Sequence, residues 1–559
     1  MRIALAQINP VVGDIAGNCE RIAGKIEDAA REGADLVIFA ELSVTGYPPR
    51  DLLRKERFVA DSVAAVGELA RHCTGVAALV GYPRPVEGEH GRPLHNAAAL
   101  LAGGEIRRVH AKRLLPTYDV FDETRYFEPA APAGGPAPDG GSDACFELAG
   151  LRIGLSICED LWDAEALGRD LYAEDPIGHL AARGAQLIVN MAASPFEVGK
   201  AAVRDSVFRR QAARTSAAVA YVNQVGGNDE LVFDGGSCVV SADGHVLGRA
   251  RSFAEDLLIV DVPAAEPGRR EPLGEPMGRL SAALKLGLRD YVRKCGFSSV
   301  VLGLSGGIDS AVVATLAADA LGPENVHALA MPSRYSSAHS IEDARALARN
   351  LGIRLLEVEI EPAHATFERM LAGPLAGGEA NIADENVQAR IRGLLVMAMS
   401  NAHGHLALAT GNKSELSVGY CTLYGDMCGG LAPIGDLLKT TVFDLARRLN
   451  AESGSERIPP GTLTKPPSAE LKPGQVDQDK LPPYELLDEI LSRYIEADQT
   501  AEMIVAEGFD ESVVRRVIRM VDASEYKRRQ AAPTLKVSSR AFGSGRRMPI
   551  AQRYAAGGE

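Results

Sequence analysis

The chain has 559 residues, 46% of them hydrophobic, and a formal net charge of −14; that length exceeds one core and predicts roughly three to four domain-sized units, or two large ones. The acidic balance argues against a nucleic-acid surface, no apolar run reaches membrane-spanning length, and eight cysteines without a C-x-x-C pair indicate neither a disulfide framework nor a zinc site. Met1-Arg-Ile-Ala-Leu-Ala-Gln-Ile reads as a strand, not as a signal peptide, so a cytoplasmic protein with no membrane partner is expected. Short apolar runs then recur at 3–8, 35–40, 76–82, 97–101, 152–158, 186–191, 218–224, 236–241 and 257–262, with helical segments between only some of them. This pattern predicts an α/β unit over 1–262, with a mixed sheet or a two-sheet sandwich faced by helices. The Pro-, Gly-, Glu- and Arg-rich stretch 263–276 reads as a linker. Beyond it, in 277–559, strands at 300–304, 326–331, 355–360 and 405–410 alternate with helices, one over about 338–351. That order predicts a doubly wound parallel sheet with ligands at the carboxyl ends of its strands. The loop-rich 458–483 is expected to be a lid or disordered, and the Ala/Gly-rich 129–141 a plain surface loop.

Three residues of the first half stand where apolar strands end: Glu41 after Leu36-Val-Ile-Phe-Ala40, Lys112 after Ile106-Arg-Arg-Val-His-Ala111, and Cys158 after Arg152-Ile-Gly-Leu-Ser-Ile157. Loops at strand ends are where a rigid scaffold gathers reactive groups. Together the three supply a thiol nucleophile, a carboxylate to take its proton and an ammonium for a tetrahedral oxyanion. Singly, each has a bland reading: an inert buried thiol and two solvated charges.

In the second half, Val301-Leu-Gly-Leu-Ser-Gly-Gly-Ile-Asp-Ser310 ends an apolar run at two glycines and starts a helix after Asp309. Glycines let the backbone fold around phosphate oxygens, and the helix N-terminus aims N–H groups at them, so Ser305, Gly306, Gly307, Asp309 and Ser310 form a place for pyrophosphate. The spacing is neither a Walker A loop nor the dinucleotide fingerprint. Ala409-Thr-Gly-Asn-Lys-Ser-Glu415 puts Thr410 at another strand end and gives Glu415 as a partner for Asp309 in holding Mg²⁺, which takes one or two carboxylates plus substrate phosphates. Pro433-Ile-Gly-Asp-Leu-Leu-Lys439 places a lysine for phosphate neutralisation. On a helix through Glu385-Asn-Val-Gln-Ala-Arg-Ile-Arg392, Gln388 and Arg392 share a face while Asn386 and Arg390 are displaced around it; a solvated charged face is the alternative.

Phe39-Ala-Glu-Leu-Ser-Val-Thr-Gly-Tyr-Pro-Pro, Lys112-Arg-Leu-Leu-Pro and Ile157-Cys-Glu-Asp-Leu-Trp resemble, in order, the three signature blocks of the nitrilase superfamily. The resemblance implies an αββα sandwich and a Glu-Lys-Cys triad of Glu41, Lys112 and Cys158. Phe121-Asp-Glu-Thr-Arg-Tyr-Phe127 is similar to the segment bearing that family's supporting glutamate, here Glu123, and Asn190-Met-Ala-Ala-Ser-Pro-Phe-Glu-Val-Gly-Lys200 to the glutamine pocket of its glutaminase members. This implies Ser194, Tyr118 and Glu159 as contacts of the glutamine head group. The Ser-Gly-Gly-Ile-Asp-Ser loop resembles that of the N-type ATP pyrophosphatases. With Glu385–Arg392, Thr410–Glu415, Ser417–Asp426, Pro467–Leu471 and the C-terminal block from Tyr526, it resembles the NAD synthetases, and the fusion resembles the glutamine-dependent NAD synthetases over nearly the whole chain. That implies Asn386, Arg390 and Arg392 at deamido-NAD, and Met331 and Ser333 beside the adenosine of ATP. Lys439, Lys527 and Ser468 are weaker carry-overs.

The implied reaction couples glutamine hydrolysis to amidation of deamido-NAD through an adenylate, with ATP as co-substrate, Mg²⁺ as cofactor and a shielded route for ammonia. A homo-oligomer, as large as an octamer, is implied as well. Related amidotransferases that share the Ser-Gly-Gly loop need either a cysteine after the initiator Met, where this chain has Arg2, or a Gly-x-Cys-x-Gly elbow, which is absent. A stand-alone amidohydrolase with a nucleotide-sensing domain would hydrolyse amides without releasing AMP, and a purely regulatory binding protein would need neither catalytic constellation.

Overall fold

Alternation along the first strand sets the layering of the first unit. In the computed structural model, which describes residues 1–86, 90–131, 144–264, 266–375 and 382–554, Ile3 and Leu5 of β1 (Arg2–Gln7) join one buried cluster while Ala4 and Ala6 join another. Successive side chains of a strand point to opposite faces, so one face packs on a second sheet and the other on helices. β1 pairs with β2 (Leu36–Ile38), which is followed by β3 (Ala77–Pro85), β4 (Leu94–Ala102) and β5 (Glu105–Ala111). The second sheet is built from β6 (Cys145–Leu148), β7 (Leu151–Ile157), β8 (Leu187–Ala192), β9 (Ala218–Asn223), β12 (Cys238–Val240) and β13 (Val246–Arg249), with β10 (Val225–Asn228) and β11 (Leu231–Asp234) as a separate ribbon. The last strand, β14 (Asp256–Asp261), returns to pair antiparallel with β1.

Ile3, Leu5, Leu36, Ile38 and Leu79 of the first sheet share a core with Ile153, Leu155, Leu187, Val189 and Val219 of the second. Ala4, Val37, Ala78 and Val80 face Ile22 and Ile26 of the helix Ile15–Arg31 and Val66 and Leu69 of the helix Glu56–Ala70. The helices Pro176–Ala182 and Lys200–Thr215 contact β7 and β9. The architecture is therefore the αββα sandwich. Strands β6, β10, β11 and β13 were not anticipated from the sequence, and the expected surface loop 129–141 lies outside the described residues from 132 onward.

The chain forms two compact units, Met1–Gly274 and Glu275–Glu559. Residues 268–271 of the linker-like stretch hydrogen-bond to Leu247 and Arg249 in the first unit. In the second, β15 (Val300–Gly303), β16 (Val326–Ala330), β17 (Arg354–Glu357) and β18 (Leu406–Leu408) form a parallel sheet in the order β17-β16-β15-β18. The order reverses at β15, so the crevice beyond its carboxyl end is the topological switch point where open α/β sheets hold ligands. The helix Ile308–Leu321 follows β15 directly, and its almost wholly apolar sequence fits burial on all sides. A separate helical cluster around Leu487, Ile490, Val514, Ile518 and Val521 completes the unit. The 458–483 segment is ordered: it contains the short helix Pro460–Thr464 and a turn at Asp477–Asp479. Among the described residues no helix is long and apolar enough to cross a membrane.

Two candidate active sites

Glu41, Lys112 and Cys158 come from three different strand ends and meet in the first unit. Lys112 Nζ donates to Glu41 Oε1 at 2.7 Å and to both oxygens of Glu123 at 2.8 and 2.9 Å. The Asn96 side chain on β4 also donates to Glu41 Oε1, at 2.7 Å, and the Ala193 N–H holds Oε2 at 3.0 Å. Tyr47 donates to Glu123 at 2.9 Å. Glu41 and Lys112 are inaccessible to solvent within one percent, so their charges must be compensated from within the cluster. Burial would push the Lys112 ammonium down, but Glu123 and Glu41 outweigh it and hold it well above its usual range. Burial, opposed by Lys112, pushes Glu123 up to about 7.

Cys158 follows β7 in the left-handed region, φ +43°, a strained conformation for a residue with a side chain. Asp160 secures the turn: one oxygen accepts from the Ile157 N–H at 3.0 Å, the other from the N–H groups of Arg113 and Leu114 at 3.1 and 2.8 Å. Burial first and Glu41 next raise the thiol well above its normal range, with Lys112 opposing. At neutral pH the resting thiol keeps its proton, so a base must remove it during reaction. Beside it, Tyr118 donates to both oxygens of Glu159 at 2.9 and 3.0 Å, and Tyr172 donates to one of them at 3.0 Å. Ser194 is fixed through its backbone by Asn223, at 2.8 and 3.2 Å. Asn96, Asp160, Tyr172, Tyr47 and Asn223 escaped the sequence reading.

The second unit carries a cleft of about 310 Å³ beyond β15, β16 and β18. Of the residues singled out from the sequence, Ser305, Gly307, Asp309, Ser310, Met331, Arg392, Thr410, Glu415, Lys439 and Ser468 line it. Gly306 does not, and its requirement is steric: φ is +78°, and an added Cβ would fall 2.1 Å from the Ser340 carbonyl oxygen. Lys439 Nζ lies 2.5 Å from Asp309 Oδ2 and 3.2 Å from Glu415 Oε1, while Asn412 donates to Asp309 Oδ1 at 2.9 Å. Burial, reinforced by Asp309 and opposed by Lys439, pushes Glu415 up to about 8. Two carboxylates brought to one cation supply the hard oxygen donors that suit Mg²⁺. Arg392 donates through Nε to the Met331 carbonyl at 3.0 Å, and burial, opposed by Glu470, brings it down to about 10. A buried guanidinium that faces a cleft, with no ion-paired carboxylate among the described residues, suits an anionic ligand.

Ser333, Asn386, Arg390 and Lys527 lie outside that lining. Asn386 accepts from the Thr422 hydroxyl at 2.8 Å, Arg390 donates to the Leu423 carbonyl at 3.2 Å, and Lys527 Nζ donates to the Gly419 and Cys421 carbonyls at 2.6 and 2.8 Å. All three hold the loop from which Tyr420, Cys421 and Asp426 reach the cleft. The Ser333 N–H donates to Ser336 Oγ at 3.1 Å. The 458–483 segment covers part of the cleft with 465–471 and Asp477, and Glu470 accepts from Ser337 and Ser340 at the start of the helix Ala338–Leu351.

Comparison with known proteins agrees with this division. Residues 2–269 match the family model described as carbon-nitrogen hydrolase, and 280–531 the one described as NAD synthase. A Synechocystis protein named glutamine-dependent NAD(+) synthetase is 49% identical over 99% of both chains, and one of that name from Thermotoga maritima is 42% identical with the same coverage. The solved glutamine-dependent NAD+ synthetase of Acinetobacter baumannii, in complex with ADP, superposes with a TM-score of 0.77 at 38% identity and covers 98% of each chain. The chain belongs to the glutamine-dependent NAD(+) synthetases, ATP-using ligases in which a carbon-nitrogen hydrolase unit precedes an NAD synthase unit.

Proposed function

We propose that the buried Glu41–Lys112–Cys158 cluster frees ammonia from glutamine and that the cleft of the second unit uses it to amidate deamido-NAD. The observation that carries the first half is the lysine held between Glu41 and Glu123 beside a strained thiol. Glu41 takes the thiol proton as sulfur attacks the side-chain amide carbon of glutamine, and Lys112 stabilises the oxyanion. The proton passes to the departing nitrogen, the C–N bond breaks, and water then cleaves the thioester to glutamate. Glu159, oriented by Tyr118 and Tyr172, receives the α-ammonium of glutamine, and Ser194 contacts the same head group.

In the second unit the N–H groups at Gly307 and the start of the following helix cradle the β- and γ-phosphates. Asp309 and Glu415 would hold Mg²⁺, which when bound neutralises phosphate charge. Lys439 and Arg392 add fixed positive charge, and Thr410 and Met331 position the nucleotide. The nicotinate carboxylate attacks the α-phosphorus, pyrophosphate leaves, and ammonia displaces AMP from the acyl carbon; orientation and charge neutralisation supply most of the rate. Asn386, Arg390 and Lys527 act by fixing the 419–426 loop against deamido-NAD, and 465–471 excludes water from the adenylate. A cytoplasmic homo-oligomer, up to an octamer, is consistent with these small-molecule substrates and with the family; sedimentation checks its size.

Cys158→Ala tests the division of labour. The variant loses NAD formation from glutamine and retains it from added ammonium; a folded variant inactive with both refutes the scheme.

A further inference from the structure

A buried polar network joins Ser194 to the helix Lys200–Thr215. Both backbone groups of Ser194 are taken by one side chain: its N–H donates to Asn223 Oδ1 at 2.8 Å, and its carbonyl accepts from Asn223 Nδ2 at 3.2 Å. Asn223, the last residue of β9, thus holds Ser194 as a neighbouring strand would, and the hydroxyl is the donor that Ser194 keeps for a ligand. The amide works in one orientation only. Its Nδ2 also meets the Gly235 carbonyl at 3.2 Å and Asp234 Oδ1 at 3.5 Å, and carbonyl and carboxylate oxygens only accept. A flipped amide would set oxygen against all three acceptors and lose the Ser194 N–H.

Asp234 and Gly235 stand at the end of β11, and Arg204 fixes that end. Asp234 gives its other oxygen, Oδ2, to Arg204 Nη2, while Arg204 Nη1 donates to the Tyr221 hydroxyl at 3.3 Å. Tyr221 lies two residues before Asn223, on the same face of β9. One guanidinium therefore ties together the two strands whose ends clamp Ser194. Arg204 is 4% exposed and Asp234 1%, so each charge depends on the other. Burial would pull the guanidinium down, but Asp234 and Tyr221 outweigh it and hold it above its usual range. Apolar residues of similar volume would stabilise the interior as well or better. What the ion pair adds is a fixed direction for the acceptors around Asn223.

We propose that Arg204 and Asp234 are positioning residues of the glutaminase, setting Ser194 through Asn223 for the head group of glutamine, a role that rests on the reading of Ser194 as a contact of that group. The defect expected from losing the pair is in glutamine binding, not in the chemistry at Cys158.

Glutamate release by the full chain, measured against glutamine concentration, tests it. Arg204→Met together with Asp234→Asn removes both charges at once and leaves no unpaired ion. KM for glutamine rises about 10-fold while kcat stays within about 3-fold, the signature of lost binding. Arg204→Lys keeps the charge but not the fork that also reaches Tyr221, and it raises KM by about 3-fold; it decides the matter if the double variant does not fold. Ser194→Ala is the reference. If it raises KM while the folded Arg204 variants leave KM unchanged or lower only kcat, the positioning role is overturned and the pocket stands. If Ser194→Ala leaves KM unchanged, the reading of the pocket falls, and this role with it.

Discussion

Cys158 combines two properties that pull against each other, a strained backbone that presents the thiol and an environment that keeps it protonated. Glu41 raises the thiol and, in the proposed scheme, receives its proton, so Glu41→Gln separates the two roles. Glutamine hydrolysis falls by about 10²–10⁴-fold, the span of general-base contributions. Alkylation of the thiol by iodoacetamide moves the other way: in the wild type it climbs only at pH above the ordinary thiol range, and in the variant the climb shifts to lower pH because a nearby negative charge is gone. An unshifted alkylation profile would place the thiol outside the influence of Glu41. At this scale the sequence showed Glu41, Lys112 and Cys158 because each ends an apolar run, where a polar residue stands out. It hid Asn96 and Asn223, each a single amide within an apolar strand whose partners arrive from distant segments. Tyr172 is equally silent, since a tyrosine in a loop says nothing of the carboxylate it will meet.

The helix Lys413–Val418 is anchored by its first residue, whose Nζ reaches Asp436 at 3.0 Å, Glu496 at 2.6 Å, Ser538 Oγ at 2.7 Å and the Arg540 carbonyl at 2.9 Å. Burial would raise Asp436, but Lys413 and the N–H groups of Ser538 and Val537 outweigh it and hold it below the usual carboxylate range. A depressed carboxylate contributes stability that is present above its unfolded pKa of about 3.9 and is lost as pH falls through the folded value. Lys413→Met strands two carboxylates and lowers stability by about 3–5 kcal/mol at pH 7. The deficit shrinks below about pH 4, where the carboxylates take up protons; urea titrations at both pH values measure it, and a deficit independent of pH would assign the loss to packing. Elements differed in legibility for a comparable reason. Long alternating or apolar runs such as Leu94–Ala102 announce themselves, whereas Val225-Gly-Gly-Asn and Val246-Leu-Gly-Arg carry glycines that intrinsic propensity places outside strands, and only their neighbours make them pair.

For the molecule as a whole, two chemistries on two units predict that each can be lost alone. Asp309→Asn is the counterpart of Cys158→Ala: glutamate release from glutamine persists, while AMP and NAD formation falls by at least about 10²-fold, the scale of a lost electrostatic contact in a transition state. Loss of glutamate release in the folded variant would mean that the hydrolytic unit works only when its companion does. The two-unit grammar was readable from the change in strand and helix order near residue 270, and the parallel order of the second sheet from its regular alternation. The antiparallel return of β14 onto β1 has a consequence for synthesis. The ladder that Arg2–Gln7 opens is completed only by Asp256–Asp261, so during synthesis β1 stays an open edge until Asp261 has emerged, after which β14 takes its place as the edge strand. The first unit therefore cannot complete this sheet from its leading segments alone: removal of Asp256–Asp261 leaves the outer backbone groups of β1 without their strand partner.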